Sequence, residues 1–235
     1  MCGRFTLTSV PDPYAEIFRI DEIPEMPPRY NIAPTQEVAA VRSRPDDTGR
    51  ELVMLRWGLV PRWVGRIVER SPLINARAET LASKPSFEEA FRLRRCLILA
   101  DGYYEWQKRS TGKQPWHMRM SDGSVFGMAG LWERWQGHDG TVLSSCAIIT
   151  TESNSLNQPI HDRMPVIVKP SDYDLWLDPT ARRPSLLEPL LQPHSTEGMV
   201  GYPVNPLVNS VVNDSPACLD HVVDLPLFQN PPIER

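Results

Sequence analysis

Lysine is scarce in this 235-residue chain, where 4 lysines (Lys84, Lys108, Lys113 and Lys169) stand against 21 arginines. Cationic work therefore falls to the planar guanidinium, the better group for holding phosphate through two parallel hydrogen bonds. Cysteine is sparse too. Cys2, Cys96, Cys146 and Cys218 lie far apart with no Cys-x-x-Cys pair, which excludes a zinc or redox spacing and a small disulfide scaffold. The 5 histidines are scattered, so no metal signature is present, and no glycine-rich loop of the phosphate-cradling kind occurs. No apolar run approaches the ~20 residues needed to span a bilayer, and no basic segment followed by an apolar one opens the chain. We expect a cytoplasmic protein, nucleoid-associated in a bacterium, that uses no metal or cofactor and engages no membrane.

What is present is a globular composition with a lopsided charge. Hydrophobic residues make up 41% of the chain and charged residues 23%, enough for a sizeable core, and the net charge of −4 excludes indiscriminate polyanion binding. That sum hides two halves. Residues 1–120 carry 19 basic against 15 acidic side chains, whereas residues 121–235 carry 6 against 14. A basic, arginine-dominated N-terminal half is paired with an acidic remainder.

The 24 prolines predict many loops and short elements. Asp12-Pro13 ahead of Tyr14, Ile17 and Phe18 reads as a short capped helix, and Pro24 to Pro34 as a loop. Glu37 to Arg42 and Glu51 to Trp57 form a β-hairpin around an Asp46–Gly49 turn. Ser86 with Glu89 makes a capping box for a helix over 86–94. Strands are expected at 95–100, 103–107, 116–120, 125–131, 143–151 and 166–169, helices at 171–177 and 184–191, and late strands at 199–204 and 207–212. The fold class is α+β: a single domain of mainly antiparallel or mixed, barrel-like β-sheet with short peripheral helices. It is expected to span residues 1–223, with 224–235 as a flexible tail.

Cys2 carries the most chemistry. It follows Met1 and precedes Gly3, a context that favours removal of the methionine, and excision would leave Cys2 with an α-amine of pKa about 8 beside a thiol of pKa about 8.5. Such a pair can form an imine with an aldehyde and then close a five-membered thiazolidine through sulfur; alternatively the thiol can attack an acyl group. Arg4-Phe5-Thr6 reads as a strand start that anchors this terminus. Alternation in Asn75-Ala76-Arg77-Ala78-Glu79 puts an amide, a cation and a carboxylate on one face, with an Arg–Glu pair as the plain structural alternative. Glu105 lies between aromatics in Asp101-Gly102-Tyr103-Tyr104-Glu105-Trp106, surroundings that raise a carboxyl toward the range useful for proton transfer. His161 in Ile160-His161-Asp162-Arg163-Met164-Pro165 is an acid/base candidate, with Arg163 suited to phosphate. Trp57 to Trp63 interleaves aromatics with Arg62, a pattern that suits unstacked bases.

Taken together, Cys2-Gly3-Arg4-Phe5, Arg29-Tyr30-Asn31-Ile32-Ala33-Pro34, Trp57-Gly58-Leu59-Val60-Pro61, Ile74 to Thr80, Asp101 to Trp106 and His161 to Pro165 resemble the SRAP (SOS response-associated peptidase) family over residues 2 to about 220. The resemblance implies a protein that senses abasic sites in single-stranded DNA and shields them through a covalent thiazolidine to Cys2. This is lyase-type Schiff-base chemistry, with self-processing peptidase activity as an addition. It implies that Asn75 orients the sugar and the terminal amine, that Glu105 and His161 handle protons, and that Arg77 and Arg163, with Arg4 as a weaker candidate, bind phosphates. Thr150 or Thr151 is implied to reach the sugar phosphate. Trp63 is implied to stack on bases, alone where family members can have two tryptophans. The partner is single-stranded DNA containing abasic sites, and the protein is expected to be a monomer.

Two other readings compete with this one. A class II glutaminase-like amidohydrolase or peptidase also begins Met-Cys-Gly and would use the thiol on an amide. A noncatalytic single-strand binder would use only Arg and Trp.

Overall fold

The computed structural model describes residues 2–9, 12–21, 24–44, 49–65, 72–110 and 112–222. In chain order the first elements are β1 (Arg4–Leu7), α1 (Asp12–Phe18), β2 (Arg29–Ile32), β3 (Glu37–Ser43), β4 (Arg50–Trp57), β5 (Asn75–Arg77), α2 (Glu88–Leu93) and β6 (Arg95–Ala100). They are followed by β7 (Gly102–Arg109), β8 (Gly112–Met120), β9 (Phe126–Gln136), β10 (Val142–Glu152), β11 (Arg163–Pro165), β12 (Ile167–Val168), α3 (Tyr173–Leu177), α4 (Pro184–Leu187) and β13 (Met199–Pro203). The expected tail and most of the Asp46–Gly49 turn lie outside the described residues.

Strands dominate, as the fold class expected. β10, β4, β3, β6 and β9 are neighbours in that order, and β9 pairs back onto β10 to close a barrel. Only the β10–β4 step in this ring is parallel. Closure leaves the ring without an open edge, and β6, walled in on both faces, is buried at every position. The second sheet is antiparallel, in the order β13-β8-β7-β1-β2. Phe5 of β1 joins the two layers, its ring centroid 5.2 Å from that of Trp57 at the end of β4. The amino-terminal strand is thereby fixed to the barrel core.

A buried cation ties two helix ends to this core. Arg95, 4% exposed, donates from Nη1 to the carbonyls of Phe91 (2.7 Å) and Arg92 (2.8 Å), from Nε to Trp176 O (2.7 Å), and from Nη2 to Asp178 O. Those carbonyls end α2 and α3, where backbone acceptors lack helical partners and cations are favoured.

Three expectations need correction. The Pro24–Pro34 loop contains β2, because Asp214 accepts from the amides of Tyr30 (2.5 Å) and Asn31 (3.0 Å) and holds this segment extended. The Ser86 capping box does not form. α2 begins at Glu88 with Phe87 as its N-cap and no side-chain cap bond, and Glu89 pairs instead with Arg62 and Arg94. The strand expected at 207–212 is a 3-10 turn over Pro206–Asn209, set by Pro206 and by the Asn205 side chain accepting from Leu207 N at 3.0 Å. The helices expected at 171–177 and 184–191 are real but partly 3-10 in form, over Pro170–Asp172 and Glu188–Leu191.

Candidate functional site

β1 pairs with β7 in the register Arg4↔Tyr104 and Phe5↔Tyr103. Continued toward the terminus, that antiparallel register brings Cys2 abreast of Glu105 and Trp106. Cys2 is buried, and its carbonyl accepts from Asn75 Nδ2 at 2.9 Å, so the first two motifs meet through one hydrogen bond. Burial, reinforced by the Glu105 carboxylate, pushes the Cys2 thiol far up from its ordinary value. Glu105 is 1% exposed, and burial raises its carboxyl to about 7 against the lowering effect of the amino-terminal charge. The sequence expectation of an elevated Glu105 is thus matched.

Asn75 is positioned from below. Gly58 adopts φ +133°, and a Cβ there would fall 2.6 Å from Pro72 Cβ, so only glycine admits this close approach. Gly58 N donates to Cys146 O at 2.8 Å and Trp57 Nε1 to Ile74 O at 2.9 Å, which lays the 72–77 segment beside β10. β5 then runs parallel to β10 with Ile148 opposite Asn75 and Thr150 opposite Arg77. Asn75 Oδ1 is buried with no hydrogen-bond partner among the described residues.

The extended face expected from Asn75 to Glu79 stops at Arg77, because Ala78–Thr80 is a 3-10 turn. That turn takes Glu79 out of the alternation and onto Arg163 instead of Arg77. Arg163 donates to Glu79 through Nη1 to Oε1 (2.6 Å) and Nη2 to Oε2 (3.1 Å), and also to Thr150 O at 2.6 Å. Thr150 itself is buried beneath it, its hydroxyl 3.4 Å from Nη2. Arg77 is exposed, and with His161, Arg163, Ser153, Glu152, Gln158 and Asp162 it lines a cleft of about 630 Å³.

His161 accepts from Arg163 N through Nδ1 at 3.0 Å, while Asp162 Oδ1 lies 2.8 Å from the same nitrogen. One nitrogen cannot serve both, since the Arg163 amide needs a lone pair there and the Asp162 carboxylate a proton. Asp162 is a solvated side chain, 87% exposed, so the backbone donor is assigned and the neutral ring carries its proton on Nε2. Partial burial lowers the His161 pKa, in keeping with a neutral imidazole.

Sequence reasoning missed the brace of this loop. Asn157 is fully buried; its Nδ2 donates to Ser153 Oγ (2.7 Å), Arg163 O (3.1 Å) and His161 O (3.2 Å), and its Oδ1 accepts from Tyr103 OH at 3.4 Å. Tyr103 stands two residues before Glu105, on the same face of β7. One amide therefore locks the His161–Arg163 loop to the strand that carries Glu105. Its signal in the sequence is slight, one of two asparagines in a polar loop.

Arg4 faces a different segment. Its Nη1 donates to Asn31 Oδ1 (3.0 Å) and Val208 O (2.7 Å), and Asn31 Nδ2 bonds the carbonyls of Val208, Ser210 and Asn213. Arg4 and the Arg29–Pro34 motif thus clamp the 205–214 segment over β2. Trp63 is 53% exposed in the turn that Val64 N closes onto Pro61 O, beside Val60 and Val64 packed on Trp135.

Chemically, the arrangement brings Cys2 to a buried amide with an unsatisfied oxygen and to the strand that carries a protonatable carboxyl, and braces the neutral His161 and the arginine-lined cleft to that same strand. Among the described residues no group of three or more His, Cys, Asp or Glu could hold a metal ion, and no helix is long and apolar enough to cross a membrane.

The family model described as SOS response associated peptidase (SRAP) matches residues 1–211. The abasic site processing protein YoqW of Bacillus subtilis is 42% identical over 94% of this chain and 99% of its own length. The abasic site processing protein HMCES of Gallus gallus is 32% identical over 82% of this chain and 66% of its own. A crystal structure of a protein from Bacteroides thetaiotaomicron, 27% identical, superposes with a TM-score of 0.84 over 94% of this chain and all of that one.

Proposed function

The chain belongs to the SOS response associated peptidase family, and from that premise we propose that it processes abasic sites in single-stranded DNA, capturing them as a thiazolidine at Cys2 once Met1 is removed. The observation that carries this reading is Glu105, a carboxyl held half-protonated near neutrality by burial beside the strand that delivers Cys2. Relatives named abasic site processing proteins support the substrate class.

In the proposed sequence, the C1 hydroxyl proton passes by way of water to the sugar ring oxygen as the bond between C1 and that oxygen breaks, His161 steadies the departing oxygen with a hydrogen bond from Nε2, and the deoxyribose opens to an aldehyde. The neutral amine of Cys2 adds to that carbon, forming a carbinolamine. Glu105 protonates the carbinolamine oxygen, which leaves as water, and an imine remains. The thiol adds across it: sulfur bonds to carbon, and its proton passes to nitrogen. Aldehyde and aminothiol give thiazolidine and one water, with no oxidant or cofactor required. A thiol held in its neutral form suits this order and disfavours the alternative in which a Cys2 thiolate attacks an amide.

Asn75, already bonded to the Cys2 carbonyl, orients the amine through its unsatisfied Oδ1. Arg77 and Arg163 take the flanking phosphates, Thr150 supports Arg163, Trp63 stacks on a neighbouring base, and Arg4 braces the floor. The protein acts as a monomer in the cytoplasm through one domain over residues 1–223. The test is a denaturing gel of purified protein with a uracil-containing oligonucleotide converted to an abasic site, with intact-mass analysis of the mature terminus. A retarded band for the wild type that Cys2→Ala lacks is expected. Identical behaviour of the two, or a retained Met1 in crosslinking protein, overturns the reading.

A further inference from the structure

The Arg163–Glu79 contact presents a carboxylate to a guanidinium with the two-oxygen geometry that a phosphate would use. The pair joins residues 84 apart in sequence, and its Arg163 side chain is only 13% exposed. The Arg77 charge acts on the same carboxylate, since both arginines contribute to lowering the Glu79 pKa. Glu79 thus pairs with Arg163 and feels the charge of Arg77, the two guanidinium groups assigned to the DNA backbone. The Glu79 side chain is 47% exposed, so solvent and an incoming anion can reach it.

We infer that Glu79 is a specificity-determining residue: an internal phosphate mimic that occupies Arg163 and must be displaced when a DNA phosphate arrives. The inference rests on the reading of Arg163 as a DNA ligand. Its consequence follows from ion counting. A cation that exchanges one anion for another releases few counterions, so a strand offering only phosphates gains little from Arg163. Intact single strands are therefore held weakly. An abasic strand is retained because the covalent bond at Cys2 adds what the phosphate contact does not.

The test measures fluorescence anisotropy of a labelled, intact oligothymidylate with wild type, Glu79→Gln, Glu79→Asp and Arg163→Ala over a salt series. Glu79→Gln is expected to bind about two- to fivefold more tightly, the factor that loss of one partly exposed ion pair supplies. Its plot of log K against log salt should steepen by about 0.7, one additional phosphate neutralised on a single strand. Glu79→Asp, which keeps the charge, should behave as wild type, and Arg163→Ala, which leaves the Glu79 carboxylate unpaired and repelling the strand, should bind more weakly. Wild-type affinity and slope in Glu79→Gln, or weaker binding than wild type, overturns the inference, provided Arg163→Ala is weakened. An unaffected Arg163→Ala removes the DNA role of Arg163 and the inference with it. Absence of a crosslink to abasic DNA would overturn the capture chemistry and leave the anisotropy result standing, so the two failures are distinguishable.

Discussion

Replacing Glu105 by glutamine should change the shape of the pH–rate profile, beyond lowering it. The productive form needs a protonated Glu105, pKa about 7, together with a neutral terminal amine, pKa about 8. The two conditions oppose each other on the pH scale, so a minority of molecules is productive at any pH and the wild-type rate forms a bell. Glu105→Gln removes the proton donor, and the crosslinking rate should fall by about 10²- to 10⁴-fold, the usual contribution of general acid catalysis. The residual rate should climb through the amine pKa and stay flat above it, because the alkaline limb belongs to Glu105. Stability should move the opposite way. A carboxyl raised from 4.5 to about 7 in the folded state loses stability as pH climbs through that window, a penalty of about 3 kcal/mol that is complete above 7. Glutamine carries no such penalty, so the variant should melt higher than wild type at pH 8 and lose that advantage by pH 4. Single-turnover crosslinking on denaturing gels, with melting curves at both pH values, reads both effects. A bell that persists in Glu105→Gln, or a variant as fast as wild type, would refute the assignment.

Two further substitutions probe the scaffold. Asn157→Ala leaves the carbonyls of His161 and Arg163 without the Nδ2 donor, and should slow crosslinking while lowering stability by about 2–3 kcal/mol. Asn157→Asp should be no milder, since it turns an oxygen toward those same carbonyls; wild-type crosslinking by either variant would dismiss the brace. Arg95→Met strands four carbonyls at the ends of α2 and α3, those of Phe91 and Trp176 fully buried, and should cost about 3–5 kcal/mol in chemical denaturation, and a loss below about 1 kcal/mol would mean that water takes over those acceptors.

The parts of the site that were legible in the sequence are those whose meaning is local. Cys2 beside an excisable methionine, Glu105 between aromatics and His161 before an apolar strand each announce their chemistry within a few residues, and the barrel strands announced themselves through length and apolar continuity. What stayed hidden depends on distant partners. Asn157 acquires its role from Tyr103 on another strand, and Glu79 from Arg163, 84 residues away. β2 was masked by the prolines on either side of it, and the residue that holds it extended is the distant Asp214. Nothing near Gly102 in the chain explains it either, since the reason only glycine fits is His117, whose Nε2 would lie 2.1 Å from any Cβ placed there.

The charge count shows the same limit most sharply. Residues 1–120 carry an excess of arginine, but folding commits many of those cations elsewhere. Arg29 pairs with Asp214, Arg42 with Glu51, Arg19 and Arg50 with Asp174, and Arg62 with Glu89, while Arg94 reaches Glu89 and Glu133. Arg95 is spent on helix-end carbonyls and Arg4 on Asn31 and Val208. An arginine-rich half is therefore not an arginine-rich face. The cleft keeps Arg77 and a Glu79-bound Arg163, too little charge to hold a strand by counterion release alone. On the proposed chemistry that poverty is selective, because a protein that binds intact strands feebly can sample many of them and is retained only where an aldehyde lets Cys2 close the bond.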